Sequence, residues 1–404
     1  MKLFIGLLFI CVTLSHTSAE ANSQCASLFE EEIVDFSSEW GVNFLSYSDP
    51  AWTEPGYLKE LAKYAAPTIT NYGGRAELLL SKFDKVFNDF SDGFIARFTI
   101  SGTDANNYLF DYAAQSYHSR TRKEPIDVKL LSFEDPYAGA YGKIYDLKYG
   151  SSQLTIPTPR LHPNRKYSKA ELAEIKKIEL RALKFIREKV KNPDLEIGGI
   201  FIEPIPVSHG IYMYRPEFMR QLRKLADELK VPIFADEILT GGGRTGKFWA
   251  YEHYEGFVPD LVTFGKGLVV AGIFVPTRKS SSLEINPWDI GSTTTSANPL
   301  SLVQAIQVLE TIKKRNLIDN ARDVGEYFYE RLKQRHLESK IYKTDDLDVR
   351  GVGLLLWYSS YRRNFKIDSY KEGYGPRMLP PLTLTRQQVD DLFIESSKND
   401  GNSL

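Results

Sequence analysis

VPIFADEILTGGGRTGKFWAYEHYEGFVPDLVTFGKG, residues 231–267, is the stretch on which the reading of the whole chain turns. It contains two short apolar runs bounded by turn residues, the pattern of strands buried on both faces of a sheet. Val231–Ala235 ends at Asp236-Glu237, and Leu261–Phe264 ends at Gly265-Lys266. A carboxylate placed just past such a strand can pair with a cationic ring nitrogen and keep it protonated. A lysine in a tight, apolar, glycine-flanked turn is a candidate nucleophile, because burial or a neighbouring cation depresses its pKa. Each residue also has a plain reading: Asp236 as a helix cap or ion-pair partner, Lys266 as a solvated loop residue. Between them, Gly241 to Lys247 fits the G-x-x-x-x-G-K spacing of a phosphate-binding loop. Position 248 is Phe where a magnesium-binding Ser or Thr is required, and FWAYEHY is a weak helix, so nucleotide hydrolysis is set aside.

Upstream, Pro216 suits the first residue of a helix reaching about Lys230, and Ile200–Glu203 reads as a buried strand before it. Ser168 with Glu171 signals a capping box; its helix runs to about Lys191 and stops at Asn192-Pro193. Farther back, Val128–Phe133 and Ile95–Ile100 read as strands. Leu58–Ala65, Ala76–Phe90 and Ala105–Tyr117 carry apolar residues at helical spacing. Strands alternating with helices predict βαβ units and a parallel sheet covered on both faces, with ligands beyond the carboxyl ends of the strands. Thr99-Ile100-Ser101-Gly102-Thr103 puts a glycine and hydroxyls between a strand and a helix, where free N–H groups and the helix dipole favour phosphate; a plain turn with an N-cap is the simpler reading of it alone. Downstream, a helix over about Leu300–Lys313 is expected to bridge to a C-terminal lobe. That lobe holds a second helix near Asp323–Gln334, the segment Val349–Tyr358 and an end near Leu382–Phe393.

Charge and termini narrow the function classes. The net charge of -1 gives no electrostatic case for nucleic acid or anionic membranes. Lys2, the apolar run Leu3–Leu14 and Ala19-Glu20-Ala21 form the pattern of a signal peptide. The run is too short to span a bilayer, so the expectation is export to a periplasm or the outside, with no stable membrane insertion. Cleavage after Ala21 would remove Cys11 and leave Cys25 alone, so no intrachain disulfide is expected. No Cys/His cluster has zinc-site spacing, and no metal is expected.

Three features in one order raise all three together, and at this point the chain resembles a family. Glu203-Pro204-Ile205, Asp236-Glu237-Ile238, GGGRTGKFWAYEHY (241–254), Pro259-Asp260 and FGKG (264–267) look like the signature of class III, fold-type I, pyridoxal-phosphate-dependent aminotransferases. SGTDAN (101–106), TTTSANP (293–299) and RMLPPL (377–382) look like its flanking motifs. Within the class, FSSEWGVNFLSYSDP (36–50) and FWAYEHYEGFVPDLVTFGK (248–266) are most similar to lysine 6-aminotransferases. The resemblance implies an α/β fold: a large domain (48–306) with a mainly parallel sheet covered by helices, and a smaller α+β C-terminal domain (307–404). A leader (1–21) and a short N-terminal segment (22–47) would precede them.

It also implies roles. Lys266 would hold pyridoxal 5'-phosphate covalently and shuttle a proton, and Asp236 would hold the pyridine nitrogen. Gly102 and Thr103 would bind the phosphate, Tyr137 would lie over the ring, and Thr294 would reach the phosphate of the other subunit of a homodimer. Arg377 would bind a substrate carboxylate with its fork of donors. The implied reaction moves an amino group from an amine or amino acid, the lysine ε-amine among the candidates, to a 2-oxo acid such as 2-oxoglutarate. Three departures stand out. EPIQGEGG in the family is EPIPVSHG here (203–210), which replaces the glutamate that masks the carboxylate-binding arginine with Ser208. The family's glutamine after the acid pair is Leu239, and the histidine after the stacking aromatic is Ala138. Either the donor is expected to place its own carboxylate on Arg377, or another acid to move in, and Glu237 is the acid named for that place. The alternative these departures leave open is an exported, catalytically weakened homologue that binds cofactor, a ligand or a host protein.

Overall fold

The computed structural model describes residues 38–65, 74–149, 154–208, 210–277, 296–338, 349–358 and 377–400. The expected leader and Thr294 lie outside them.

A single helical turn at Ser38–Gly41 and the longer helices α1 (Pro55–Lys63) and α2 (Gly74–Phe87) precede strand β1 (Gly93–Thr99). Ser101 caps helix α3 (Gly102–Thr121) by accepting the Asp104 N–H at 3.2 Å. Strands β2 (Lys129–Phe133) and β3 (Thr155–Ile156) follow. Helix α4 (Lys169–Lys191) opens with the expected capping box: Glu171 N–H donates to Ser168 Oγ at 3.2 Å, and Ser168 N–H donates to Glu171 Oε2 at 2.8 Å. Then come β4 (Ile197–Ile202), α5 (Pro216–Leu229), β5 (Ile233–Asp236), β6 (Leu261–Phe264) and β7 (Ala271–Pro276). Every residue of β4 to β7 is buried, which explains why these strands read as unbroken apolar runs.

The seven strands lie in the order β1-β7-β6-β5-β4-β2-β3. From β6 to β3 all neighbours are parallel. The apolar run of β7 does not pair as the next parallel strand. It returns antiparallel beside β6, with Phe264 opposite Gly272, and is antiparallel to β1 on its other side. The turn between β6 and β7 is therefore a hairpin, and Lys266 sits inside it. Because β7 opposes both neighbours, β1 points the same way as β6. The carboxyl ends of β1, β2, β4, β5 and β6 then face one side of the sheet, where an α/β fold places its ligand.

One hydrophobic core fills the side of the sheet covered by α2, α4 and α5, and another lies under α3. A third core belongs to the C-terminal part. There α6 (Pro299–Lys314), α7 (Leu317–Glu338) and α8 (Arg386–Asp400) accompany an antiparallel sheet of β8 (Val349–Val352), β9 (Leu355–Tyr358) and β10 (Arg377–Met378), in the order β10-β9-β8. Phe44, Leu45 and Ala51 are buried in this third core, next to Val308, Leu354 and Leu382. The N-terminal segment thus packs with the chain's far end. Among the described residues no helix is long and apolar enough to cross a membrane, and no group of acids, histidines and cysteines is placed to hold a metal.

Candidate active site

A cavity of about 510 Å³ opens at the carboxyl ends of the strands. Six of the seven residues singled out from the sequence line it: Gly102, Thr103, Tyr137, Asp236, Lys266 and Arg377.

Asp236 is the last residue of β5 and is 8% exposed. Its carboxylate is fixed on both oxygens: Ile238 N–H donates to Oδ1 at 3.0 Å, and Asn106 Nδ2 donates to Oδ2 at 2.7 Å. Asn106 is itself fully buried. It also donates to the Ala138 carbonyl at 2.6 Å and accepts the Thr263 hydroxyl at 2.7 Å. An amide on α3 thereby ties the ends of β5 and β6 to the loop after β2. Burial pushes the Asp236 carboxyl above its ordinary range, against its two hydrogen bonds and the nearby Lys266 amine.

Lys266 occupies the hairpin turn with φ +46°, a left-handed conformation uncommon for a residue with a side chain. Its Nζ donates to the Trp40 carbonyl at 3.0 Å. Burial brings the amine down to about 8, helped by the Arg377 and Arg244 guanidiniums and resisted by Asp236 and Glu203. It is therefore neutral, and nucleophilic, far more often near neutral pH than an ordinary lysine, although the protonated form still predominates at pH 7.

At the third corner, the first turn of α3 presents Gly102 and Thr103 to the cavity. A Cβ on Gly102 would come within 2.7 Å of Ile238, so only glycine lets this turn approach that side chain. The Thr103 hydroxyl accepts the Ala140 N–H at 3.3 Å. Tyr137 is 43% exposed, its ring carrying the Lys148 ammonium 5.1 Å from the centroid.

Arg377 enters from β10, across from Trp357 on β9. Around this end the walls are apolar, with Val42, Ile205, Val207, Leu239 and Leu379, and Ser208 lies among them. The acid at this end is Glu203, which the sequence named only as part of a motif. It accepts the Tyr137 N–H at 2.8 Å and the Val207 N–H. Burial and Asp236 raise it to about 7, while the Arg377 charge pulls it down. Glu237 does not take the place expected for it. It is 1% exposed and turned away, accepting the Ala250 N–H at 3.0 Å, the Tyr251 N–H at 2.8 Å and the Thr240 hydroxyl. Those bonds cap the short helical turn Ala250–His253, and leaving it would strand two buried amides.

This donor set fits pyridoxal phosphate. A glycine-bearing turn at a helix N-terminus suits a phosphate, a buried carboxylate held on both oxygens suits a cationic ring nitrogen, and a lysine with lowered proton affinity lines the same cavity.

The family model described as aminotransferase class-III matches residues 18–372. An acetylornithine aminotransferase from Caldanaerobacter subterraneus is 28% identical over 89% of this chain and 87% of its own. A [LysW]-aminoadipate semialdehyde/glutamate semialdehyde transaminase from Sulfolobus acidocaldarius is 28% identical over 80% of this chain and 76% of its own. The fold is shared with a lysine aminotransferase from M. tuberculosis, at a TM-score of 0.76 and 22% identity over 90% of this chain and 89% of that one. The chain belongs to the class-III aminotransferase family and is a pyridoxal-phosphate-dependent enzyme that transfers amino groups.

Proposed function

We propose that Lys266 is the residue that holds the cofactor, that Asp236 holds its ring nitrogen, and that Gly102 and Thr103, with Thr294 of a second subunit, hold its phosphate. When bound, pyridoxal phosphate supplies an electron sink for the pair released at the carbon bearing the donor's amine. Lys266 is suited to take that carbon's proton and return it, since its amine is easily neutral. Asp236 favours a protonated ring nitrogen at this point, and Tyr137 offers its ring to one face. Arg377 receives the carboxylate of the 2-oxo acid, such as 2-oxoglutarate. The relatives named for acetylornithine, semialdehyde and lysine substrates support a donor whose reacting amine lies at the end of a chain, the lysine ε-amine included.

The observation that carries this reading is the Asn106-locked carboxylate of Asp236 in one cavity with Lys266. It is also why the weakened-homologue reading is not favoured: Ser208, Leu239 and Ala138 all lie in the cavity wall, and none touches that lock directly except through the Ala138 carbonyl, which any residue provides. An absorbance titration with pyridoxal phosphate, followed by a donor screen against 2-oxoglutarate, tests the proposal. A visible cofactor band that is bleached by a terminal amine and restored by 2-oxoglutarate is expected. A protein that binds no cofactor, or whose band no amine changes, would overturn it.

We further propose a homodimer, a leader cleaved near Ala19–Ala21 with export to the periplasm or the outside, and a division into a large domain (48–306) and a small one (307–404). The dimer is supported by exposed apolar side chains: Trp40, Val42 and Tyr137 on the cavity wall, with Ile100 and Tyr141 beside Ser101. Export is supported by the Leu3–Leu14 run.

A further inference from the structure

The glycine-rich stretch 241–247, which imitates a nucleotide-binding loop, is buried throughout up to Gly246 and lies between the N-terminal segment and the C-terminal lobe. Its Arg244 is fully buried and forms no ion pair among the described residues. One amino group of the guanidinium donates to the Pro380 carbonyl at 2.9 Å and to the Leu354 carbonyl at 3.2 Å. The Arg244 carbonyl accepts the Leu354 N–H at 2.9 Å. The guanidinium carbon lies 5.1 Å from the centroid of the Phe44 ring. The same ring presses on Gly267, the residue after Lys266: a Cβ there would fall 2.0 Å from its Cε1. The ring also lies against Gly242, where a Cβ would be 2.7 Å away. Phe44's own carbonyl accepts the Leu382 N–H at 2.7 Å.

These contacts form one continuous path. It runs from the Lys266 turn through Gly267, Phe44 and Arg244 to Pro380, three residues beyond Arg377. Neither Phe44 nor Arg244 lines the cavity. With no acid among the described residues to satisfy it, a buried guanidinium is costly to keep, and a hydrophobic residue could fill the same space. Its carbonyl contacts and its ring contact are what it offers in return.

We propose that Phe44 and Arg244 are positioning residues: they lock the Lys266 turn to the Arg377 segment and so set how a substrate carboxylate is held, without touching substrate. The proposal rests on the reading of Arg377 as the carboxylate receiver. Misplacing a reacting group by about 1 Å can cost up to ~100-fold, so a loosened lock should be visible in binding.

The holoenzyme, Arg244→Met, Arg244→Lys and Phe44→Leu would be compared in three measurements. First, the Kd for 2-oxoglutarate on the amino form should rise by roughly 10- to 100-fold in Arg244→Met, less in Arg244→Lys, which keeps the charge and one donor nitrogen. Second, the single-turnover rate with benzylamine, which has no carboxylate, should fall by a clearly smaller factor than 2-oxoglutarate binding weakens, the residual change coming from the lost guanidinium charge near Lys266. Third, hydrogen exchange should speed up at the Leu354 and Leu382 amides in Arg244→Met and Phe44→Leu, and the double variant should lose little more than either single one. Equal losses with 2-oxoglutarate and benzylamine would make the pair merely structural and overturn the proposal, as would unchanged exchange at both amides. Arg377→Lys serves as the control: unchanged 2-oxoglutarate binding there defeats the reading of Arg377, while the exchange data still judge the lock. Should Arg244→Met not fold, Arg244→Lys and Phe44→Leu carry the same three readouts.

Discussion

At Lys266 two costs meet, a left-handed backbone and a buried amine, and both serve the same end. The turn aims the side chain back over the carboxyl end of the sheet, and burial lowers its proton affinity. The amine attacks only when neutral, so uptake of pyridoxal phosphate by the apoprotein should speed up as pH rises and level off above about 8. Stopped-flow absorbance from pH 6 to 10 checks this, and a rate that is flat with pH would contradict the depressed amine. Asn106 should matter through Asp236. Its loss leaves a buried carboxylate oxygen without its donor, so Asn106→Ala should slow the half-reaction by roughly 10- to 100-fold while much cofactor stays bound. Equal rates in single turnover would remove it from the site. The sequence displayed Asp236 and Lys266 because each follows a recognisable strand. It could not display the Trp40 carbonyl as the partner of Lys266, or the approach of Glu203 to Arg377. Those depend on contacts between distant parts of the chain, which no local pattern encodes.

Among the elements, helix ends were the most legible, because caps are local chemistry. Ser168 with Glu171 and Pro216 mark starts that the structure keeps. Strand β7 was missed because a short buried apolar run has no alternation to give its direction. The hairpin it forms with β6 is what converts an ordinary strand end into the Lys266 turn. The join between helix α5 and the starts of the central strands β5 and β6 depends on a pair outside the cavity. Arg223 Nη1 donates to Asp260 Oδ2 at 2.7 Å, the same oxygen accepts the Ile233 N–H at 2.7 Å, and both side chains are buried. Arg223 keeps a second acid, the half-exposed Asp227 at 2.8 Å. Asp260→Asn should therefore cost roughly 2 kcal/mol of stability, the range of a hydrogen bond to a charged group, seen as a lower denaturation midpoint, with the cofactor band of the folded protein retained. A midpoint equal to the parent's would show the pair to be dispensable.

The molecule as a whole closes on itself at the site. The N-terminal segment supplies Trp40 to the cavity and Phe44 to the C-terminal core, and the C-terminal part returns Arg377. Fold class was legible because alternating strands and helices admit few topologies; the packing of residues 44–51 against the far end was not, since nothing in their own pattern names a partner. If the exposed aromatic mouth is a subunit interface, light scattering of the purified protein should give twice the monomer mass, and Trp40→Glu should lower it. N-terminal sequencing of chain from its native source should begin near Glu20 or Asn22; a full-length chain would refute export. The most direct test of the account is chemical. Reduction of the cofactor-loaded protein with borohydride, followed by peptide mass spectrometry, should place a single pyridoxyl-phosphate adduct on the peptide containing Lys266 and none in Lys266→Ala. An adduct on another lysine, or on none, would contradict it.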